Sequence, residues 1–215
     1  DKIISTGERM SIASSFIRLT SAAQIHNCLT INRWGEVQLD RNKFLGMERE
    51  IQLRILSSII GVFSGKKYRP RYKSVKLLLE KFLTHSFDMG ITIGGSKVSA
   101  IKRNHFLFQR EVSAIPEVTD LKNLEIFKTN FDGEKCLAEN KFLWDNRWII
   151  FKKSANFIEG LKVGRVKNKT ILKNFRERTN GMAYYTAAAL PAIFNKDEII
   201  AMPGLIRSDS IEFRL

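Results

Sequence analysis

Apolar residues recur at three- and four-residue steps near the start of the chain, where Ile12, Phe16, Leu19 and Ala23 share one stripe. That period predicts an amphipathic helix over residues 1 to about 30, with a mostly polar outer face. A short extended piece, Glu36-Val37-Gln38-Leu39-Asp40, follows between Gly35 and Gly46. The helical period then returns from Glu48 to about Phe63, where Ile51, Ile55, Leu56, Ile59, Ile60 and Phe63 fill a wide apolar face. Gly65 is expected to cap its end. Pro70 interrupts helicity, and a third helix is predicted over Ser74–Thr84 with Val75, Leu78, Leu79 and Phe82 inward.

Beyond residue 90 the period changes to two. Ile91 and Ile93 alternate before Gly94-Gly95, Val98 and Ile101 precede a turn at Arg103-Asn104, and Phe106 and Phe108 follow it. This reads as a hairpin or meander. Residues 113–141 are looser, with turns at Pro116 and Asp132-Gly133. Residues 142–151 are strand-like, either continuous or split in two around Asp145-Asn146. Lys152 to Phe157 reads as a junction, because apolar density falls there. The last sixty residues read β-α-β-β: a short strand or turn at 163–166, a basic helix from Lys169 to about Arg178, a hairpin around Asn195-Lys196-Asp197, and a closing strand at Ile211–Phe213. The expected class is α+β, with a helical N-terminal part over residues 1–47, a middle helix-plus-antiparallel-sheet domain over 48–153 and a small α+β domain over 154–215.

Composition narrows the function. Apolar residues are 44% of the 215 and charged residues 27%, a globular balance rather than a disordered one. No apolar run is long enough to span a bilayer, so no membrane partner is expected. No leader opens the chain, so secretion is not expected. Cys28 and Cys136 lie too far apart in sequence for a metal-ligand spacing and are expected as buried free thiols in a reducing cytoplasm. Lys and Arg number 36 against 22 acids, a net charge of +14, which favours a polyanionic partner with phosphates along its backbone. The helical pattern begins almost at Asp1, as expected of a chain continuing a longer protein.

Candidate catalytic motifs do not hold. Gly61-Val62-Phe63-Ser64-Gly65-Lys66-Lys67 has three residues between its glycines, and Lys67 stands where a phosphate loop needs Ser or Thr. Gly94-Gly95-Ser96 follows a strand, but no Asp follows to anchor a metal, so a tight turn is the better reading. His26, His85 and His105 are scattered, and Glu48, Glu50 and Glu177 read as helix-surface charges. No catalytic residue and no metal ligand is therefore assigned.

Basic residues interleaved with aromatics remain. Lys66, Lys67, Tyr68, Arg69, Arg71, Tyr72 and Lys73 bring five cations and two rings into eight residues, which suits phosphates and exposed bases. A second cluster contains Arg165, Lys167, Lys169, Lys173, Arg176 and Arg178. On a helix, positions 169, 173 and 176 share a face, and like charges so placed repel unless an anion neutralises them. Both clusters are expected to bind nucleic acid, while Trp144, Trp148 and Phe151 are expected in the core.

Several segments, in order, resemble the C-terminal half of tRNA(Ile)-lysidine synthases of the alphaproteobacterial type. They are Arg49–Leu56, Tyr68-Arg69-Pro70-Arg71 and Ile91–Ser96 with Gln109-Arg110-Glu111 after it. Trp144-Asp145-Asn146-Arg147-Trp148 follows, and then Leu190–Ile193 with Asp197–Pro203. Asn146 replaces the family's glycine, which a turn tolerates. Ala187-Ala188-Ala189 stands where relatives often place an arginine, which puts a phosphate contact there in doubt. The resemblance implies an ATP-dependent carbon–nitrogen ligase. It would adenylate C2 of the wobble cytidine of isoleucine tRNA(CAU) and let the ε-amine of free lysine displace AMP. ATP, magnesium and lysine would be handled by an N-terminal domain outside this chain. This part would carry no cofactor and would grip tRNA in the cytoplasm, and a homodimer of the parent is left open. A free-standing RNA- or DNA-binding module and a non-catalytic interaction domain are the competing readings.

Overall fold

The computed structural model describes residues 2–64, 68–84, 90–101, 104–124, 141–153, 160–178 and 182–215. Among them the class is α+β, with six α-helices and twelve strands in three sheets. The chain divides into two compact units, residues 1–31 with 37–108, and residues 32–36 with 109–215. The sequence divisions after residues 47 and 153 followed local changes of pattern, whereas the compact units follow pairing between distant strands.

The first unit opens with helix α1, Lys2–Cys28. Ile17 and Ile25 pack against the core and Cys28 is buried, but Ile12, Phe16 and Leu19 are 66–70% exposed. The stripe expected to be the buried face is therefore the outer one: Ile17, Ser21, Ile25 and Cys28 lie on the opposite side of the helix. Burial pushes the Cys28 thiol up, as expected of an unreactive core cysteine, while Cys136 lies outside the described residues. Strands β1, Leu29–Ile31, and β2, Val37–Asp40, form a hairpin. Asp40 caps the short helix α2, Arg41–Leu45, by accepting from the Lys43 N–H at 3.0 Å.

Helices α3, Arg49–Ser64, and α4, Tyr72–Leu83, bury the apolar positions their spacing predicts. The proposed cap Gly65 lies outside the described residues. Strands β3, Ile91–Ile93, β4, Ser96–Ile101, and β5, His105–Arg110, complete a five-stranded sheet in the order β1-β2-β5-β4-β3. Phe82 of α4 stacks on Phe106 of β5 with centroids 3.8 Å apart and planes 13° apart, and meets Phe44 and Phe108 edge-on. Gly94, at φ +53°, carries the β3–β4 turn past Ile60, whose Cγ2 would lie 2.6 Å from any added Cβ. Buried Gln52 donates to the Phe44 and Leu45 carbonyls at 2.9 and 3.3 Å, which satisfies the end of α2.

The second unit holds two sheets. One, in the order β11-β10-β9-β6, joins β6, Thr119–Asp120, β9, Leu161–Arg165, β10, Pro191–Asn195, and β11, Glu198–Ala201. The other, in the order β12-β8-β7, joins β7, Lys141–Trp144, β8, Trp148–Lys152, and β12, Ile211–Arg214. The last strand thus pairs with β8 and not with the hairpin just before it. Strand pairing crosses the junction expected at 152–157, with Ile211 opposite Lys152 and Thr119 opposite Val163. Helices α5, Lys169–Arg178, and α6, Tyr184–Ala188, lie between β9 and β10 in sequence.

Trp144 and Trp148 are buried, as expected, but Phe151 is only half-buried, with the Arg214 guanidinium 4.5 Å above its ring. It faces away from the core because it alternates with Ile150, which is fully buried. Trp148→Ala is therefore expected to cost roughly 3–5 kcal/mol, and Phe151→Ala less than about half of that, in urea unfolding. Neither Trp144 Nε1 nor Trp148 Nε1 has a hydrogen-bond acceptor among the described residues, so Trp148→Phe should lose packing alone, about 1.5 kcal/mol or less.

Candidate nucleic-acid interface

In the first cluster, Tyr68, Arg69, Arg71, Tyr72 and Lys73 are exposed, Tyr68 at 80% and Tyr72 at 65%, whereas Lys66 and Lys67 lie outside the described residues. Pro70 holds the segment extended, and Arg71 is the N-cap of α4, with φ −63° and ψ 134° and no side-chain cap. Its carbonyl accepts from the Ser74 and Val75 N–H groups at 3.0 and 3.2 Å. The first turn of α4 contains no acid. The positive end of a twelve-residue helix and three cations without an acidic partner among the described residues therefore occupy one exposed segment. That arrangement can hold phosphate oxygens, and two exposed phenol rings stand ready for unstacked bases.

In the second cluster, Arg165 ends β9 and is half-buried, Lys167 is exposed 3.9 Å from exposed Glu117, and Lys173 is exposed on α5. Asn168 accepts from the Ile171 N–H at 3.2 Å and starts the helix. Buried Leu172 fixes the inner side of α5, while backbone spacing puts positions 169, 173 and 176 together. The side chains of Lys169, Arg176 and Arg178 lie outside the described ones. Ala187, Ala188 and Ala189 are buried in the core, so no phosphate contact can be made from those side chains.

Two polar networks in the second unit escaped the residue patterns. Asp145 accepts from Arg110 through both oxygens, at 2.9 Å from Nε and 2.6 Å from Nη2, and from Arg147 Nε at 2.9 Å. All three side chains are at least 96% buried. Arg110 also donates to the Ala114 carbonyl at 2.7 Å, and Arg147 reaches the Ala189 carbonyl at 3.4 Å. Burial pulls the Arg147 guanidinium below its ordinary range, and Asp145 opposes that shift. Asp145 and Asn146, at φ 52° and 51°, form the β7–β8 turn, closed by the Arg147 N–H on the Trp144 carbonyl at 3.2 Å. Those signs match a type I′ turn, which Asn accepts readily. The Trp-Asp-Asn-Arg-Trp motif is thus an internal clamp, not a binding surface.

The second network orders the tight loop Asn32–Glu36. Asn32 Oδ1 accepts from the Trp34 and Glu36 N–H groups at 3.0 and 3.1 Å, and Asn32 Nδ2 donates to Glu36 at 2.6 Å. Glu36 also accepts from Gln109 Nε2 at 2.6 Å and from the Thr186 hydroxyl. The only sequence signal was the Asn32–Gly35 turn composition.

Nothing in the described residues resembles a nucleotide cradle. Gly94-Gly95 is a hairpin turn filled by Ile60, and no described group of three His, Cys, Asp or Glu residues is placed to hold a metal. No described helix is long and apolar enough to cross a membrane. Asp145→Asn is expected to leave two buried guanidiniums undercompensated and to cost roughly 3–5 kcal/mol in urea unfolding.

No family model matches the chain. Curated relatives do. A tRNA(Ile)-lysidine synthase of Wolbachia sp. subsp. Brugia malayi (strain TRS) is 29% identical over 119 residues, covering 52% of this chain and 27% of that protein. The tRNA(Ile)-lysidine synthase of Rickettsia akari (strain Hartford) is 24% identical over 195 residues, covering 86% and 41%. That of Hyphomonas neptunium (strain ATCC 15444) is 27% identical over 104 residues, covering 48% and 28%. The chain is therefore similar to these synthases over half to most of its length, and it spans between about a quarter and two-fifths of theirs.

Proposed function

We propose that this chain is the tRNA-holding part of a tRNA(Ile)-lysidine synthase, the ligase that joins lysine to the wobble cytidine of isoleucine tRNA(CAU) with ATP. Similarity to synthases of that name, over as much as 86% of the chain, is the observation that carries this reading. The exposed, acid-free segment Tyr68–Lys73 and the basic start of α5 support a polyanionic substrate.

A ligase acting on one base of a long RNA gains from contacts far from that base. Phosphate contacts set register and orientation, and a reacting group held in register reacts as if it were highly concentrated. On this reading Lys66, Lys67, Arg69, Arg71 and Lys73 form one set of such contacts. Arg165, Lys167, Lys169, Lys173, Arg176 and Arg178 form the other. ATP, magnesium and lysine would be handled by an N-terminal domain outside this chain, in the cytoplasm, and a dimer of the parent would duplicate the grip.

Gel-shift titration of isoleucine tRNA(CAU) against methionine tRNA tests the reading. Tighter binding of the isoleucine tRNA is expected, and equal, weak binding of both would overturn specific recognition by this chain. Changing Lys169, Lys173 and Arg176 together to Ala, or Arg69, Arg71 and Lys73 together, should weaken binding of all RNAs alike. Each triple change should also flatten the salt dependence by roughly two to three units of slope.

A further inference from the structure

The loop Asn32–Glu36 presents two side chains that neither basic cluster includes. The Arg33 guanidinium lies 4.3 Å from the centroid of the Trp34 ring and is itself exposed. Trp34 is pinned from another side: a Cβ at Gly204, φ +65°, would lie 2.6 Å from Cζ3 and 2.8 Å from Cη2 of the indole. The loop behind them is braced by Asn32 and Glu36, and Gly35, at φ +76°, packs against Leu215. The indole is therefore a fixed plane with the Arg33 guanidinium over it. Both line an open cleft of about 430 Å³, large enough for a nucleotide.

Charge in the cleft is uneven. Lys153 and Glu212 pair at 3.2 Å, and Arg214 donates to the same carboxylate at 2.8 Å, so Glu212 is occupied. Hydrogen bonds from Arg214 and Lys153 hold that carboxyl below its usual range. Arg207 is exposed and has no ion-pair partner among the described residues, and neither has Arg33. A planar guanidinium keeps its five donors in its own plane, which leaves its outer face free to stack and its edge free for oxygen acceptors. An aliphatic ligand would use neither property, whereas an unstacked base with its phosphate uses both. Asp209, exposed on the same cleft, supplies an acceptor for a base amino group.

We propose that this cleft takes one unpaired nucleotide of an RNA, its base stacked on the Arg33 guanidinium above Trp34 and its phosphate at Arg207. The site rests on the RNA-binding reading above, but it selects unpaired over paired RNA, which phosphate contacts cannot do. The test compares a blunt stem-loop RNA with the same stem-loop bearing a two-nucleotide unpaired extension, by fluorescence anisotropy on the whole 215-residue protein at fixed salt. The extension should tighten binding by about tenfold, the scale of one base stacked on a planar side chain. Arg33→Ala should remove that gain while blunt-RNA affinity stays within about twofold. Arg33→Lys, which keeps the charge and loses the plane, should not restore it. Thermal unfolding of both variants should match the parent, since Arg33 is exposed. An extension that adds nothing, equal weakening of both RNAs, or rescue by Lys would each overturn the site. Those results leave the RNA-binding reading standing, whereas failure to bind either RNA overturns both.

Discussion

The carboxylate of Asp145 sits between two guanidiniums with almost no water, and the second unit is organised around it. Two cations and one anion leave a net positive charge in the interior, which costs free energy unless every remaining donor finds an acceptor. Backbone carbonyls of Ala114 and Ala189 supply acceptors, so the ion cluster ties the β7–β8 turn to the chain after β5 and to the end of α6. The same residue holds a left-handed backbone position that Asp takes less readily than Gly. Two charge-assisted bonds from Arg110 and one from Arg147 offset that strain. An apolar trio could pack here at similar stability. Only a charged trio also fixes which turn, strand end and helix end must meet.

Five acids elsewhere are similarly committed. Glu36 accepts from three side chains, Asp40 caps α2, Glu50 pairs with Arg54, and Glu212 is shared by Lys153 and Arg214. Glu80 lies near both Arg49 and Lys76. By contrast Arg69, Arg71, Lys73, Arg33 and Arg207 are exposed without an acidic partner among the described residues. Several of the cations behind the +14 excess thus lie on extended segments or loop tips, where a polyanion can approach.

What the sequence made legible was local. The helices over 49–64 and 72–83, the turn at Asp145-Asn146 and the hairpin at 195–197 all follow from periodicity and turn chemistry within a dozen residues. The division of the chain did not, because Thr119 pairs with Val163 and Ile211 with Lys152, and pattern carries no record of strand partners. Ile12, Phe16 and Leu19 show the reverse error: a clean apolar stripe predicted burial, but the opposite face of α1 meets the core. At the candidate site, Tyr68–Lys73 was legible from charge and aromatic density. Arg33 and Trp34 were not, since a platform made of one cation, one ring and a glycine 170 positions later has no local signature.

That difference in legibility follows the physics of recognition. Phosphates are alike along the whole of an RNA, so residues that meet them need only be basic and exposed, and composition reveals them. A base is read by a plane or an edge held in fixed geometry, and such geometry comes from tertiary contacts. In this chain the exposed cations of Tyr68–Lys73 are held only by an extended backbone and a helix start, which suffices for attraction. Arg33 and Trp34 are braced by Asn32, Glu36 and Gly204, and rigidity of that kind adds nothing to long-range attraction. It has value only where the orientation of a bound partner matters.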